Sequence, residues 1–512
     1  MLYLILALIS GVAGGLLVLL TGRNRHSLSN FITLFFSASA AFFCWRVAFL
    51  VFAGERVRFG WKPGELQWSL DPDPLGAVFG LIASTLWLFA AVYSFGYMAG
   101  KERQRTYYAF FLLSLSVTVG VAFSGNLVTL YLFYELLTLT TYPLVIHDRT
   151  SGAVRAGSKY ILYNLSGAGA ILIAIITTHS CVGNPDFADG IVLAGCDSPV
   201  LGWLLVMFII GFGVKAAIMP LHRWLPEAMA APTPVSALLH AVAVVYSGVF
   251  GILRVVYSVF GYELIGQLSF SKVLPWLAAF TILAGVLIAL RQDILKRRLA
   301  YQTVSHLSYI LLGAFTLEPW GLAGALMHMI SYPMMKMTLF FCAGIITEKT
   351  GETRISRMAG IGRILPGTMA AFAVAALGMV GMLPLNTFWG KYYLMKGSVA
   401  GGMWPLATVL AVSGLLNAAC FIPVVVNAFR GVRSPDRTGG DALQGGEIRS
   451  GTDSGAFGDG NDGNVLSRIL KDRRMALMFV PALLLVLMSI VTGLLPGIVW
   501  PGVQAVTDWF FQ

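Results

Sequence analysis

Six ionisable side chains fall inside apolar runs: Glu135 in LYLFYELLTL, Lys215 in GFGVKAAIMPLH, His240 in SALLHAVAVV, His328 and Lys336 in ALMHMISYPMMKMTLFF and Lys391 in NTFWGKYYL. An ionisable group at mid-bilayer costs ~2.5–3.5 kcal/mol on insertion scales, so a chain that keeps one supplies it with a partner or a water-filled path. The chemistry open to such a set is proton transfer. Desolvation disfavours a charged amine and a neighbouring carboxylate restores it, so a buried lysine takes up or releases a proton as its partner moves. Two prolines organise the set: Pro220 follows Lys215 in the same apolar run, and Pro384 precedes Lys391. Broken helices at that depth are tolerated where the backbone borders water or protein. A pair of them in corresponding halves of a chain is what an inverted repeat leaves. Other polar residues have ordinary readings. A lone buried histidine such as His240 or His328 can be a hydrogen-bonded packing residue. Lys396, Arg46 and Arg254 stand near the ends of apolar runs and are expected to reach the interface.

The elements that must position these groups are transmembrane helices. The 512 residues are 57% hydrophobic and 12% charged, against about 25% charged in soluble domains, and the mean hydropathy is +0.77. An all-α polytopic membrane protein follows, with about 14 spans and two broken helices, at about 1–21, 28–52, 74–99, 106–124, 127–147, 159–178, 200–220, 234–257, 273–290, 299–316, 321–346, 366–395, 402–428 and 475–499. The first run lacks a basic flank and a small-residue cleavage signature, so it is expected to be the first helix and not a cleaved leader. Loops on one side carry 25 Lys and Arg, from Arg23 and Arg25 through Arg291 and Lys296 to Arg474. The opposite loops carry four: Arg56, Arg58, Lys62 and Lys272. That asymmetry places both termini outside. The expected organisation is 1–105 as helices 1–3, 106–258 and 273–429 as two inverted five-helix repeats, 430–474 as a flexible cytoplasmic linker rich in Gly, Asp and Ser, and 475–512 as a last helix and tail.

Several classes are excluded. The net charge of +11 is dispersed among short loops, which serves membrane topology and leaves no basic domain for nucleic acid. No nucleotide-binding glycine loop and no zinc spacing occurs, so no cofactor and no metal is expected. Cys44, Cys342 and Cys420 lie in apolar runs as inert core residues. Cys181 and Cys196 share an outward loop, where they can form a disulfide or stand as two thiols.

Four segments carry a family resemblance: Lys215 through PLHRWLPEAMAAPTPVSALLHA, QDILKRRLAYQTVSHLSYI from Gln292, HMISYPMMKMTLFFCAG from His328, and LLNAACFIPVVVNAF from Leu415. Over about residues 70–430 the chain resembles the antiporter-like subunits shared by Mrp-type multi-subunit cation/proton antiporters, respiratory complex I and membrane-bound hydrogenases. The wording is most similar to the D subunit of the Mrp type. The resemblance implies fourteen helices, two inverted five-helix repeats and a horizontal chain of charge across the membrane centre. It makes Glu135 and Lys215 a coupled acid–lysine pair, His240 the next relay, Lys336 the central lysine and Lys391 the terminal one. The chain departs from the family pattern at Tyr246, where related sequences have a lysine, and at Ser331 and Tyr332, where they have an Asn-His pair. It departs again at Gly381–Phe388, which lacks one proline and one glycine. His328, Tyr246 and Tyr332 are the further relay candidates. A tyrosine passes a proton but, with pKa ≈ 10, stores none at neutral pH.

The leading expectation is a proton-translocating subunit of a cation (Na⁺)/H⁺ antiporter in a prokaryotic inner membrane, assembled with other membrane subunits and moving H⁺ against Na⁺. The alternatives are the proton-pumping subunit of a complex I-like NADH-quinone oxidoreductase or hydrogenase, and a structural subunit whose path has decayed at Tyr246 and Tyr332. An independent symporter is the weakest rival, since no span offers a solute pocket beyond the charged axis.

Overall fold

The computed structural model describes residues 1–22, 25–62, 67–194, 196, 199–430 and 472–511. Most of the 430–474 linker, and Arg23 among the basic loop residues, lie outside that set. The chain runs through α1 (Leu2–Leu20), α2 (His26–Phe52), a hairpin of β1 (Phe59–Trp61) and β2 (Trp68–Leu70), α3 (Pro74–Tyr97), α4 (Gln104–Phe123), α5 (Leu127–Val145), α6 (Ser151–Val182), α7 (Leu201–Lys215), α8 (Trp224–Glu227), α9 (Thr233–Ala241) and α10 (Val244–Arg254). A π-helical turn at Val255–Phe260 leads to α11 (Tyr262–Gln267), α12 (Leu274–Leu290), α13 (Leu295–Phe315), α14 (Pro319–Thr350), α15 (Ile361–Ile364), α16 (Pro366–Val380), α17 (Thr387–Ala400), α18 (Trp404–Phe429), α19 (Arg473–Leu494) and α20 (Trp500–Phe511). Side chains set the helix starts. Asp73 caps α3 through Gly76 N, Asn126 caps α5 through Thr129 N, and Thr150 caps α6 through Ala153 N.

Among the described residues, eleven helical segments are long and apolar enough to cross a membrane. The apolar helices α7 and α16 are shorter, and both stop at a break. At the first, α7 ends on Lys215 and the chain turns through Ala217, at φ 57°, toward Pro220. At the second, α16 ends at Val380 and Gly381 (φ 93°) turns the chain toward Pro384 before α17 begins. An alanine in the left-handed region is unfavourable by roughly 1–2 kcal/mol, and such strain concentrates at functional sites. The segment Thr233–Phe260 departs from the single continuous eighth helix expected around His240. It is interrupted at Val242 (φ −141°) and Ala243 (ψ −87°), two and three residues past His240. The β-branched run Val242, Val244, Val245 is poor helix-forming sequence, so burial and not propensity holds that segment.

Two elements form the centre: Thr233–Phe260, whose residues are buried throughout, and α14, which packs against α3, α9, α13, α16, α17 and α19. The outermost helices show large apolar side chains, among them Leu20, Phe31, Leu162 and Leu415. Such a collar suits contact with lipid and not with water. Gly248 lets α10 close on the first break, since a Cβ there would run into the Lys215 and Ala216 backbone.

Candidate functional site

The expected residues fall into two groups. In the first, the amine of Lys215 donates to the Tyr134 carbonyl at 2.5 Å and sits 3.4 Å from the centroid of the Tyr134 ring. The next residue of α5 is Glu135, whose Oε1 is buried with no hydrogen-bond partner among the described residues. Lys215 of α7 thus meets α5 one residue from Glu135 without forming an ion pair with it. Trp224 ties the break together by donating Nε1 to the Val214 carbonyl at 2.8 Å.

The second group is larger and continuous. Lys336, wholly buried on α14, donates to the Leu299 carbonyl of α13 at 2.5 Å. Its amine lies 5.7 Å from the Phe340 ring, and the His240 ring is 5.6 Å from Phe340 on centroids. Neither nitrogen of His240 has a hydrogen-bond partner among the described residues. Toward the second break, the Lys336 amine lies 5.8 Å from the Tyr332 ring, and Tyr332 stacks on His306 at 5.1 Å. His306 Nδ1 and His328 Nε2 are 3.2 Å apart, and Tyr309 stacks on both rings at 5.0 and 5.2 Å. The Lys391 amine lies 5.4 Å from the Tyr309 ring. It donates to the carbonyls of Met379 at 2.8 Å and Val380 at 2.7 Å, the last of α16. The break explains that partner: carbonyls at a helix C-terminus lack intrahelical donors and carry partial negative charge. Gly381 is needed beside it, for its left-handed φ and because a Cβ would meet the Lys391 side chain at 2.6 Å.

The two groups are not in direct contact. Helix α10 lies between them, with Gly248 against the Lys215 break and Tyr246 stacked 6.5 Å from Tyr332. The Tyr246 hydroxyl donates to the Met329 carbonyl at 3.2 Å. Each of the three lysines therefore ends on main-chain carbonyls, and among the described residues none has a carboxylate within ion-pair distance. A neutral dipole holds an amine in either protonation state more evenly than a carboxylate does, so this arrangement suits proton exchange better than permanent pairing. Unpartnered polar atoms on Glu135, His240 and His328 mark the same stretch as one where water can complete the hydrogen bonding.

Sequence reasoning passed over His306 and Tyr309, which occupy one face of α13 a turn apart; a histidine flanked by Ser305 and Ser308 inside a span was the available signal. It also misplaced Arg254. That side chain is not interfacial but 0% exposed, making a two-point ion pair with Asp73, through NH2 to Oδ1 at 2.6 Å and through NH1 to Oδ2. Asp73 precedes the third span and supplies the buried anion that an arginine at depth requires. Cys181 lies exposed near the end of α6 and Cys196 half-buried in the loop after it.

Fold and site define a multi-pass membrane protein with titratable side chains lined up inside a helix bundle. The family model described as NADH:quinone oxidoreductase/Mrp antiporter, TM, matches residues 124–417, and the chain belongs to that family. It is 36% identical over 394 residues to the N subunit of the NADH-quinone oxidoreductase of Desulforudis audaxviator, covering 75% of this chain and 77% of that protein. It is 27% identical over 376 residues to the D subunit of the Na⁺/H⁺ antiporter of Bacillus subtilis, covering 73% and 75%. A chain of the Mrp complex from Dietzia sp. DQ12-45-1b matches in fold with a TM-score of 0.84 at 21% identity, covering 100% of this chain and 97% of that one. The protein is thus an antiporter-like membrane subunit of the Mrp and complex I family.

Proposed function

We propose that the chain translocates protons along the buried line from Glu135 and Lys215 to Lys391, as one member of a hetero-oligomeric membrane complex. The observation that carries this reading is the packed succession Lys336, Tyr332, His306, His328, Tyr309, Lys391, each ring or amine within 5.8 Å of the next, with the two histidine nitrogens at 3.2 Å. In this reading Glu135 and Lys215 load from one side, and the shift of charge toward Lys336 passes through His240 and the α10 segment. Release follows at Lys391, with each neighbouring charge altering the protonation of the next. Tyr246 and Tyr332 hand protons on without storing them. His306 adds a titratable ring between Tyr332 and His328, which favours a working path over a decayed one.

The accompanying topology is fourteen spans. They are the eleven long segments, α13, and the two helices broken near Pro220 and Pro384, with inverted repeats at 106–258 and 273–429 and both termini outside. The loop asymmetry in Lys and Arg supports that orientation. Exchange of H⁺ against Na⁺ is the first form of the activity. The second, proton pumping driven by redox chemistry in partner chains, is favoured by the 36% identity to an NADH-quinone oxidoreductase subunit. Everted vesicles carrying the chain with its co-encoded subunits separate the two. Dissipation of a pH gradient on adding Na⁺ without an electron donor supports the antiporter. Proton movement that begins only with a donor supports the redox-driven pump. Movement in neither condition refutes translocation.

A further inference from the structure

At the end of the bundle that carries the basic loops, a cavity of about 590 Å³ opens between α6, α8, the start of α13 and the end of α14. That volume lies within the ~300–1,000 Å³ typical of small-ligand sites. Its wall holds four cations, Arg155, Lys159, Lys296 and Arg297, and one carboxylate, Glu227. Lys159 and Glu227 already pair at 2.7 Å. Arg155, Lys296 and Arg297 have no ion-pair partner among the described residues. Lys296 and Arg297 also stand in the first turn of α13, where the helix dipole is positive and cations are unfavourable. Like charges converging on a concave wall at such a place are relieved by an anion. Beside the cavity the surface is apolar: Val154, Leu162 and Leu165 of α6 and Ile294 are 37–64% exposed.

We propose that this cavity binds the phosphate headgroup of an anionic phospholipid, with the phosphate among Arg155, Lys296 and Arg297 and the acyl chains along α6. Basic pockets between transmembrane helices on the cytoplasmic side recognise this chemistry. A free phosphate matches the cations but leaves the apolar rim uncovered; a lipid covers both. The headgroup joins α6 of the first half of the chain to α13 of the second. Two residues past Arg297 on α13 stands Leu299, whose carbonyl holds Lys336. The site rests on charge and shape alone and stands whether or not the proton path is correct.

The test uses the full-length chain, purified with its co-encoded subunits and placed in nanodiscs of phosphatidylcholine with a minority of phosphatidylglycerol. Lipid retained on the complex is then counted by native mass spectrometry. Phosphatidylglycerol should be retained in preference to phosphatidylcholine. At about one surface cation's contribution each, the pair Arg155→Gln and Arg297→Gln should weaken that preference about thirtyfold. Arg155→Lys with Arg297→Lys should keep most of it, which separates loss of charge from loss of fold; size-exclusion of each variant checks assembly. Equal retention by wild type and the glutamine variant overturns the proposal. So does displacement of phosphatidylglycerol by inorganic phosphate, which would make the ligand a soluble anion. Crosslinking of an acidic partner segment to this wall in place of lipid overturns it as well.

Discussion

Arg254→Met removes the cation from a pair that is 0% exposed on the arginine and 1% on the aspartate. Asp73 then keeps its bond from Gly76 N at 2.9 Å but loses both guanidinium contacts. Breaking a buried pair by removing one partner costs about 3–5 kcal/mol, because the remaining charge is left uncompensated. The double variant Asp73→Asn, Arg254→Met behaves differently. Asparagine caps a helix as well as aspartate, no charge remains, and replacement of a buried pair by neutral groups is often close to neutral. The expected loss is at most ~1–2 kcal/mol, and Asp73→Asn alone, which leaves the guanidinium uncompensated, costs as much as Arg254→Met alone, so the cycle should return a coupling of at least about 4 kcal/mol. Reversible unfolding in mixed micelles, followed for wild type, both single variants and the double variant, measures it. A coupling of ~0.5 kcal/mol or less is the value of a solvent-exposed pair; it would refute the claim that Arg254 is a buried clamp between α10 and the start of α3.

His328→Phe keeps a flat ring in the stack with His306, Tyr309 and Tyr332 but removes both nitrogens, and proton translocation should fall about a hundredfold with assembly unchanged. Vesicle assays at matched expression read this, and wild-type rates would remove His328 from the path. Asp186, in the loop after α6, is buried against Asn126, Ser69 and Arg58. Burial pushes its carboxyl above the usual range, with Arg58 and the hydrogen bonds from Asn126 and Ser69 opposing. A raised folded-state value favours the folded protein below the unfolded pKa of ~3.9, and that contribution is lost as pH rises through the folded value. Asp186→Asn should flatten this part of the stability profile as pH rises above about 3.9, measured as the unfolding midpoint at each pH; an unchanged slope would count against it.

What the sequence made legible followed from contrast. Lys215, Lys336 and Lys391 stand out because an amine in an apolar window is conspicuous, and Pro220 and Pro384 mark where α7 and α16 end. Partners were hidden. The lysines rest on carbonyls of Tyr134, Leu299, Met379 and Val380, and a main-chain acceptor leaves no trace in residue type. Arg254 looked interfacial because its anion, Asp73, is remote in the chain and outside any span. His306 and Tyr309 escaped notice because α13 opens with Lys296, Arg297 and Arg298, so its polar content lowers the contrast that exposed the others. The interruption after His240 was masked for the opposite reason: AVAVV is uniformly apolar, and hydropathy does not register a change of backbone angle.

The most direct test of proton translocation through the buried line is Lys215→Ala beside wild type, in everted vesicles with the co-encoded subunits and a fluorescent pH probe. The variant removes the amine on the Tyr134 carbonyl and leaves the α5 and α7 backbones in place. Complete loss of proton movement, with the complex still assembled on native gels, is the predicted result. Proton movement at the wild-type rate would contradict the account.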